Sequence, residues 1–176
     1  MKQIIVTYGA VAGVVAIVGV IASIALGSGE PFQEHLEWLG YLVMLVALST
    51  IFVGIKRHRD HNLGGVITFG SGFTVGIGIA VLAGVIYTLV WEAYLAITDY
   101  SFIHEYTQFV IAGKEASGVG GAELEALKSD MATMVEQYGN PLIRLPMTFM
   151  EIFPVGLLVT LISAGVLRKS DVMPAV

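Results

Sequence analysis

The residue in the least ordinary setting is Glu151, in the stretch Met147-Thr148-Phe149-Met150-Glu151-Ile152-Phe153-Pro154. It lies about 1.5 turns into an apolar segment that begins near Leu145, which puts it roughly 9 Å below the segment's start if that segment is helical. A carboxylate at that depth is costly unless it is paired, hydrated or protonated, and such side chains usually face the interior of a helix bundle. One reading makes Glu151 a proton- or ion-binding group or a substrate contact. The other makes it a carboxyl hydrogen-bonded to a neighbouring helix, with Thr148 one turn earlier within reach.

Glu92, in Val90-Trp91-Glu92-Ala93-Tyr94, falls near the end of another apolar segment, close in expected depth to Glu151 and to Arg144. An ion pair of Arg144 with Glu92 or with Glu151 follows from that placement, so Glu92, Arg144, Thr148 and Glu151 are expected to form one polar cluster. Elsewhere, Lys56-Arg57-His58-Arg59-Asp60-His61 reads as a topogenic loop. Lys56, Arg57 and Arg59 could also hold anionic headgroups, at about 1 kcal/mol per basic residue near the surface. His58 and His61, with Asp60, lack a third or fourth ligand near in sequence; Glu34-His35 and His104-Glu105 both fall outside and could meet, but histidines without a ligand spacing are ordinarily solvated, so no metal is expected. HExxH and GxSxG are absent, as is a paired-aspartate intramembrane pattern, and nothing supports an enzyme or a cofactor.

The elements that must position these residues are membrane helices. With 56% hydrophobic and 13% charged residues, a domain of this size could not hide its apolar surface from water. Four segments of spanning length are expected, at about 4–26, 38–55, 66–97 and 145–167. The first is far longer than the roughly 7–15 apolar residues of a signal peptide, so it is read as a retained span. Gly27-Ser28-Gly29 stops it, and Pro31 opens a short acidic segment. Trp38 and Tyr41 are placed as interfacial anchors, and Tyr87, Trp91 and Tyr94 as an aromatic belt. The third segment is too long for one upright span, so Val66, Ile67, Phe69 and Phe73 are expected in the interface. Pro146 is placed in the first turn of the fourth. Gly72, Gly76, Ala80 and Gly84 recur every fourth residue, a stripe that lets helices approach closely, within the bundle or between two copies.

Between the third and fourth spans, residues 98–144 change character. Phe102, Tyr106 and Phe109/Val110 mark one side of a short amphipathic helix, and Ser117-Gly118-Val119-Gly120-Gly121 breaks it. Leu124, Leu127, Met131, Met134/Val135 and Tyr138 mark a second. An N-terminus inside leaves Lys2, Lys56, Arg57, Arg59, Arg168 and Lys169 cytoplasmic and Lys114, Lys128 and Arg144 outside, six against three. The hairpin is therefore expected to be extracytoplasmic. The net charge of −5 argues against nucleic acid as a partner, and the absence of cysteine excludes disulfides, thiolate metal sites and S-acylation.

Three stretches also carry a resemblance. They are Phe52-Val53-Gly54-Ile55 running into Arg59-Asp60 and Gly64-Gly65-Val66-Ile67-Thr68-Phe69; Tyr87 with Trp91; and Asn140-Pro141 through Arg144, Met147-Thr148-Phe149, Glu151 and Pro154-Val155-Gly156. In that order the chain resembles the bacterial membrane family known as domain of unknown function 4199, common in Bacteroidota. The resemblance implies a small inner-membrane protein of about four spans, and no catalytic residues.

The expected protein is thus all-α, with four transmembrane helices forming one membrane domain over 1–176. An extracytoplasmic amphipathic hairpin joins helices 3 and 4, and both termini are cytoplasmic. Its expected role is that of a non-enzymatic structural or accessory component, whose partners are the bilayer and a second copy or another membrane protein. The alternatives are a small proton- or ion-coupled transporter built on Glu151 and Pro154, and an intramembrane enzyme using the same carboxylates.

Overall fold

Long apolar helices with few polar interruptions must satisfy their own backbone groups in hydrocarbon, and that is how this chain folds. The computed structural model describes residues 1–26, 33–169 and 172–173, with the side chains of Leu26 and 33–37 left aside. The expected stop at Gly27-Ser28-Gly29, Pro31 and the Glu34-His35 side chains lie outside this description. Among the described residues the structure is all-helical: α1 (Lys2–Leu26), α2 (Gln33–Leu48), α3 (Thr50–Asn62), α4 (Phe69–Ile97), α5 (Ser101–Ala116), α6 (Gly121–Gly139) and α7 (Pro141–Leu167). Four stretches are long and apolar enough to cross a membrane: Lys2–Ala25, Trp38–Asn62, Phe69–Ile97 and Pro141–Leu167.

The second span is α2 followed directly by α3. The join coincides with Ser49 and Thr50, whose hydroxyls donate to the carbonyls of Val46 (2.6 Å) and Ala47 (2.7 Å), a local competition with the backbone ladder that interrupts helices. The expected end at Ile55 is corrected: Lys56–His61 is not a loop but the last turns of α3. Cations there suit the negative end of the helix dipole, and the helix stops only at Gly64 and Gly65, both at positive φ.

Two helix starts also shift. α4 begins at Phe69 rather than Val66, because the Thr68 hydroxyl accepts the Ser71 N–H (3.2 Å) and caps it there. The expected interfacial turns reduce to Val66, which is exposed, and Ile67, which is buried. α7 begins at Pro141 rather than Leu145, because the Asn140 side chain accepts the Leu142 N–H (3.0 Å) and proline occupies the first helical position. Pro146 is therefore inside the helix. Asn140→Ala should lower stability by about 1 kcal/mol while Asn140→Asp keeps it, as read from unfolding in detergent. Equal stability of the two variants would remove the cap from this account.

The chain divides into two compact units, Met1–Leu89 with Phe149–Val176, and Val90–Thr148. In the first unit, close approaches at glycine set the helix directions. A Cβ on Gly9 would lie 2.9 Å from Leu82, and one on Gly13 would lie 2.9 Å from Ile86, so α1 and α4 run parallel. Gly72, Gly76 and Gly84 of α4 face Ala164, Thr160 and Phe149 of α7, and Gly156 of α7 faces Ala80. Their numbers rise on one helix as they fall on the other, so the two are antiparallel. The small-residue stripe is spent on packing within the chain. Trp38 and Tyr41 are exposed, but Tyr87 (3% exposed) and, in the second unit, Trp91 (6%) are core residues rather than members of an aromatic belt.

In the second unit α5 and α6 form the expected helical hairpin. Lys128 of α6 pairs with Glu115 of α5 (3.1 Å), and that carboxylate holds the Lys128 ammonium above its ordinary value. The α6 stripe from Leu124 to Tyr138 is half-buried. On α5 the buried positions are Ile103 and Thr107, while Tyr106 and Phe109 remain partly exposed. The buried face of α5 therefore lies beside the aromatic one read from the sequence.

Candidate functional site

In the second unit the polar residues gather around Arg144. α4 ends with Asp99 and Tyr100 both in the left-handed region (φ 50° and 56°), and the Tyr100 N–H reaches back to the Leu95 carbonyl (2.8 Å), the closure that ends many helices. That turn places the Tyr100 ring 4.8 Å from the Arg144 guanidinium carbon, and the Tyr138 ring stands 5.8 Å from it. Glu92 meets Arg144 as a fork: Nε donates to Oε2 (2.9 Å) and Nη2 to Oε1 (2.5 Å). Nη1 donates to the Tyr138 carbonyl (2.6 Å). Tyr100 Oη also donates to Glu92 (3.2 Å), and Trp91 Nε1 donates to Tyr138 Oη (2.7 Å).

Arg144 is 3% exposed. A buried guanidinium is tolerated when a bidentate carboxylate, further acceptors and aromatic faces compensate it, and all three are present. Of the two expected ion pairs, the one with Glu92 is the one observed. An open cavity of about 210 Å³ adjoins it, lined by Tyr100, Ile103, His104, Val135, Tyr138 and Arg144. Thr148, the third expected member, is buried in the same unit.

Glu151 belongs to the first unit, where Tyr87 Oη donates to its Oε2 at 3.3 Å. The glutamate itself is exposed on the outer surface of α7, not turned into the bundle as expected of a membrane carboxylate. Counting back from Leu167 at 1.5 Å per residue, it lies about 24 Å from the far end of the span, inside a hydrocarbon layer of about 30 Å. The tyrosine was legible only as an interfacial aromatic, because nothing local distinguishes a belt tyrosine from a core one.

The basic run behaves unlike a solvated loop. Arg59 is fully buried (0% exposed). It donates from Nε to Asp60 (2.7 Å), from Nη1 to the carbonyls of Val172 (2.8 Å) and Leu167 (3.5 Å), and from Nη2 to that of Met173. Lys56 is tied to Asp60 (2.5 Å). Of the three expected headgroup contacts, only Arg57 is exposed and outside any ion pair among the described residues. His58 is buried with Nδ1 unpartnered. No grouping of three or more metal-ligating side chains occurs among the described residues, and His104 and Glu105 are exposed.

The family model described as "Protein of unknown function (DUF4199)" matches residues 7–169, from the second turn of α1 to just past α7. The chain belongs to the DUF4199 family. That match takes in most of the first candidate span and all of the other three, the Glu92–Arg144 pair, Glu151 and the Arg59 contacts with Asp60 and Leu167. No curated protein and no solved structure matches the chain. In this DUF4199 protein, sequence reasoning passed over Tyr87, Tyr100, Tyr138 and the inward turn of Arg59.

Proposed function

We propose that this DUF4199 protein is a non-enzymatic accessory component of a bacterial inner membrane, and that it holds a partner membrane protein against the α7 face bearing Glu151. The observation that carries this reading is a carboxyl at hydrocarbon depth, on the outer surface, that accepts a long hydrogen bond from Tyr87. A polar group facing lipid is costly, and a helix offering a donor at that depth relieves the cost. The Glu92–Arg144 pair supports the non-enzymatic side of the reading. Its charges compensate each other, and three of the guanidinium's five N–H groups are already committed.

Both termini are placed in the cytoplasm, with the α5–α6 hairpin outside. The support is the placement of basic residues at the start of α1 and the ends of α3 and α7, which the helix directions of the first unit bring to one end.

The test is purification of the tagged full chain in mild detergent, with mass spectrometry of what remains bound, beside Glu151→Gln. The expected result is a stoichiometric membrane protein retained by the wild type and lost by the variant, with unfolding of the chain itself unchanged. A homo-oligomer lost in the variant would replace the partner with a second copy. Clean, partner-free preparations of equal stability would overturn the assembly reading, and proton flux in liposomes abolished by Glu151→Gln would put a transporter in its place.

A further inference from the structure

Buried arginines are usually explained by what they neutralise. Arg59 does more, because its acceptors lie on both sides of a pair of cations. The Leu167 carbonyl precedes Arg168 and Lys169, and the Val172 and Met173 carbonyls follow them. One fully buried guanidinium, reached from α3, thus ties down the chain where it leaves α7. The start of α1 comes to the same place. The Met1 ammonium acts electrostatically on His58, Tyr8 packs at Gly54, and Ile5 packs at Gly78. Three separate helix ends therefore meet at one end of the first unit. Lys2, Arg57, Arg168 and Lys169 are all exposed there and outside any ion pair among the described residues.

We infer that these four cations form a docking surface for the phosphate groups of anionic phospholipids, and that Arg59 is the positioning residue that assembles it. Charge complementarity selects the occupant. The chain is acidic as a whole (net −5), yet this end concentrates cations that stand outside any ion pair among the described residues, at the ends of membrane spans, where headgroups lie. Arg57 and Arg168 can each grip a phosphate through two N–H groups, and the lysines add point charge. Cations that the fold had spent internally would be poor headgroup ligands. Lys56 and Arg59 are spent in that way, which is why the surface differs from the one suggested by the basic run alone. The inference is independent of the role given to Glu151.

The test uses the purified full chain in neutral detergent, titrated with phosphatidylglycerol or phosphatidylcholine, with inorganic phosphate as the soluble control and unfolding temperature as the readout. Phosphatidylglycerol should raise the unfolding temperature saturably, and the other two should not. At about 1 kcal/mol per cation, Arg57→Gln/Arg168→Gln/Lys169→Gln should weaken the apparent affinity roughly 100- to 200-fold. Arg59→Lys keeps a charge but cannot span three carbonyls. It should lose much of the lipid preference with all four surface cations intact, and amide exchange at Arg168 and Lys169 should speed up. The triple variant changes only exposed side chains, so it remains decisive if Arg59 variants fold poorly. A phosphatidylglycerol response that survives in the triple variant, an equal response to phosphatidylcholine, or reproduction of the gain by inorganic phosphate would each overturn the proposal.

Discussion

Glu92→Leu should destabilise the protein by about 3 kcal/mol, the low end of what is seen when a buried charge loses its partner. The cost is not the lost attraction alone. Arg144 is 3% exposed, and without the carboxylate a buried charge loses its counter-ion and two of its N–H groups lose their acceptors. The Tyr138 carbonyl and the two tyrosine rings would remain, which keeps the loss from being larger; the side chain of Glu92 is itself 27% exposed, which argues for the same moderation. Glu92→Gln should cost less, because the amide oxygen still accepts one bond. The double variant Glu92→Leu/Arg144→Met should recover most of the loss, since replacing both partners by apolar side chains leaves no buried charge without its partner, although the Tyr138 carbonyl and the Tyr100 hydroxyl each lose one bond. Unfolding in mixed micelles, followed by circular dichroism, completes the double-mutant cycle. A double variant no more stable than Glu92→Leu would mean that Arg144 works through something other than this pair.

Gly76→Leu is expected to cost at least the 1–3 kcal/mol typical of overpacking, because the neighbour in the way cannot step aside. A Cβ at Gly76 would lie 2.6 Å from Thr160 Cγ2 and 3.0 Å from Ile55 Cδ1. Thr160 is fully buried, and its hydroxyl is held by the Gly156 carbonyl (2.8 Å). Turning the threonine to make room would break that bond in a fully buried site. The alternative is to push α7 away from α4, which would open the contacts of Gly72, Ala80 and Gly84 in turn. Gly165 is the internal control: it is on α7, in the same kind of span, and nothing lies within 4 Å of a Cβ there. Gly165→Leu should be near neutral in the same unfolding assay. Equal losses at the two positions would show that glycine content, rather than the α4–α7 contact, sets the effect.

The two cases differ in how far they could be seen beforehand. Spacing at every fourth residue is a property of the chain, so the stripe on α4 was visible, and only its partner needed coordinates. The Glu92–Arg144 pair was visible as one of two pairings, because depth along a helix can be counted but rotation about its axis cannot. Arg59 was not visible as a buried residue. A run of cations at the end of a hydrophobic span ordinarily marks the membrane boundary, and the acceptors that draw this one inward come from more than a hundred residues away. The shifted starts of α4 and α7 have a local cause instead: single side-chain caps at Thr68 and Asn140 outweighed the hydrophobic boundary that a window average finds.

Composition and hydropathy by themselves determined an all-helical membrane protein with four spans and a helical hairpin between the last two. Hydrocarbon leaves a chain this apolar almost no other way to satisfy its backbone, and a change from continuous to amphipathic periodicity cannot be hidden. Tertiary structure alone decided which way each polar side chain turns. It placed Tyr87 and Trp91 in the core, turned Glu151 outward, closed Arg144 on Glu92 and drew Arg59 inside. Those outcomes depend on which acceptor or ring a neighbouring helix happens to present at the same height, and helices distant in sequence carry no mark of that in their own residues.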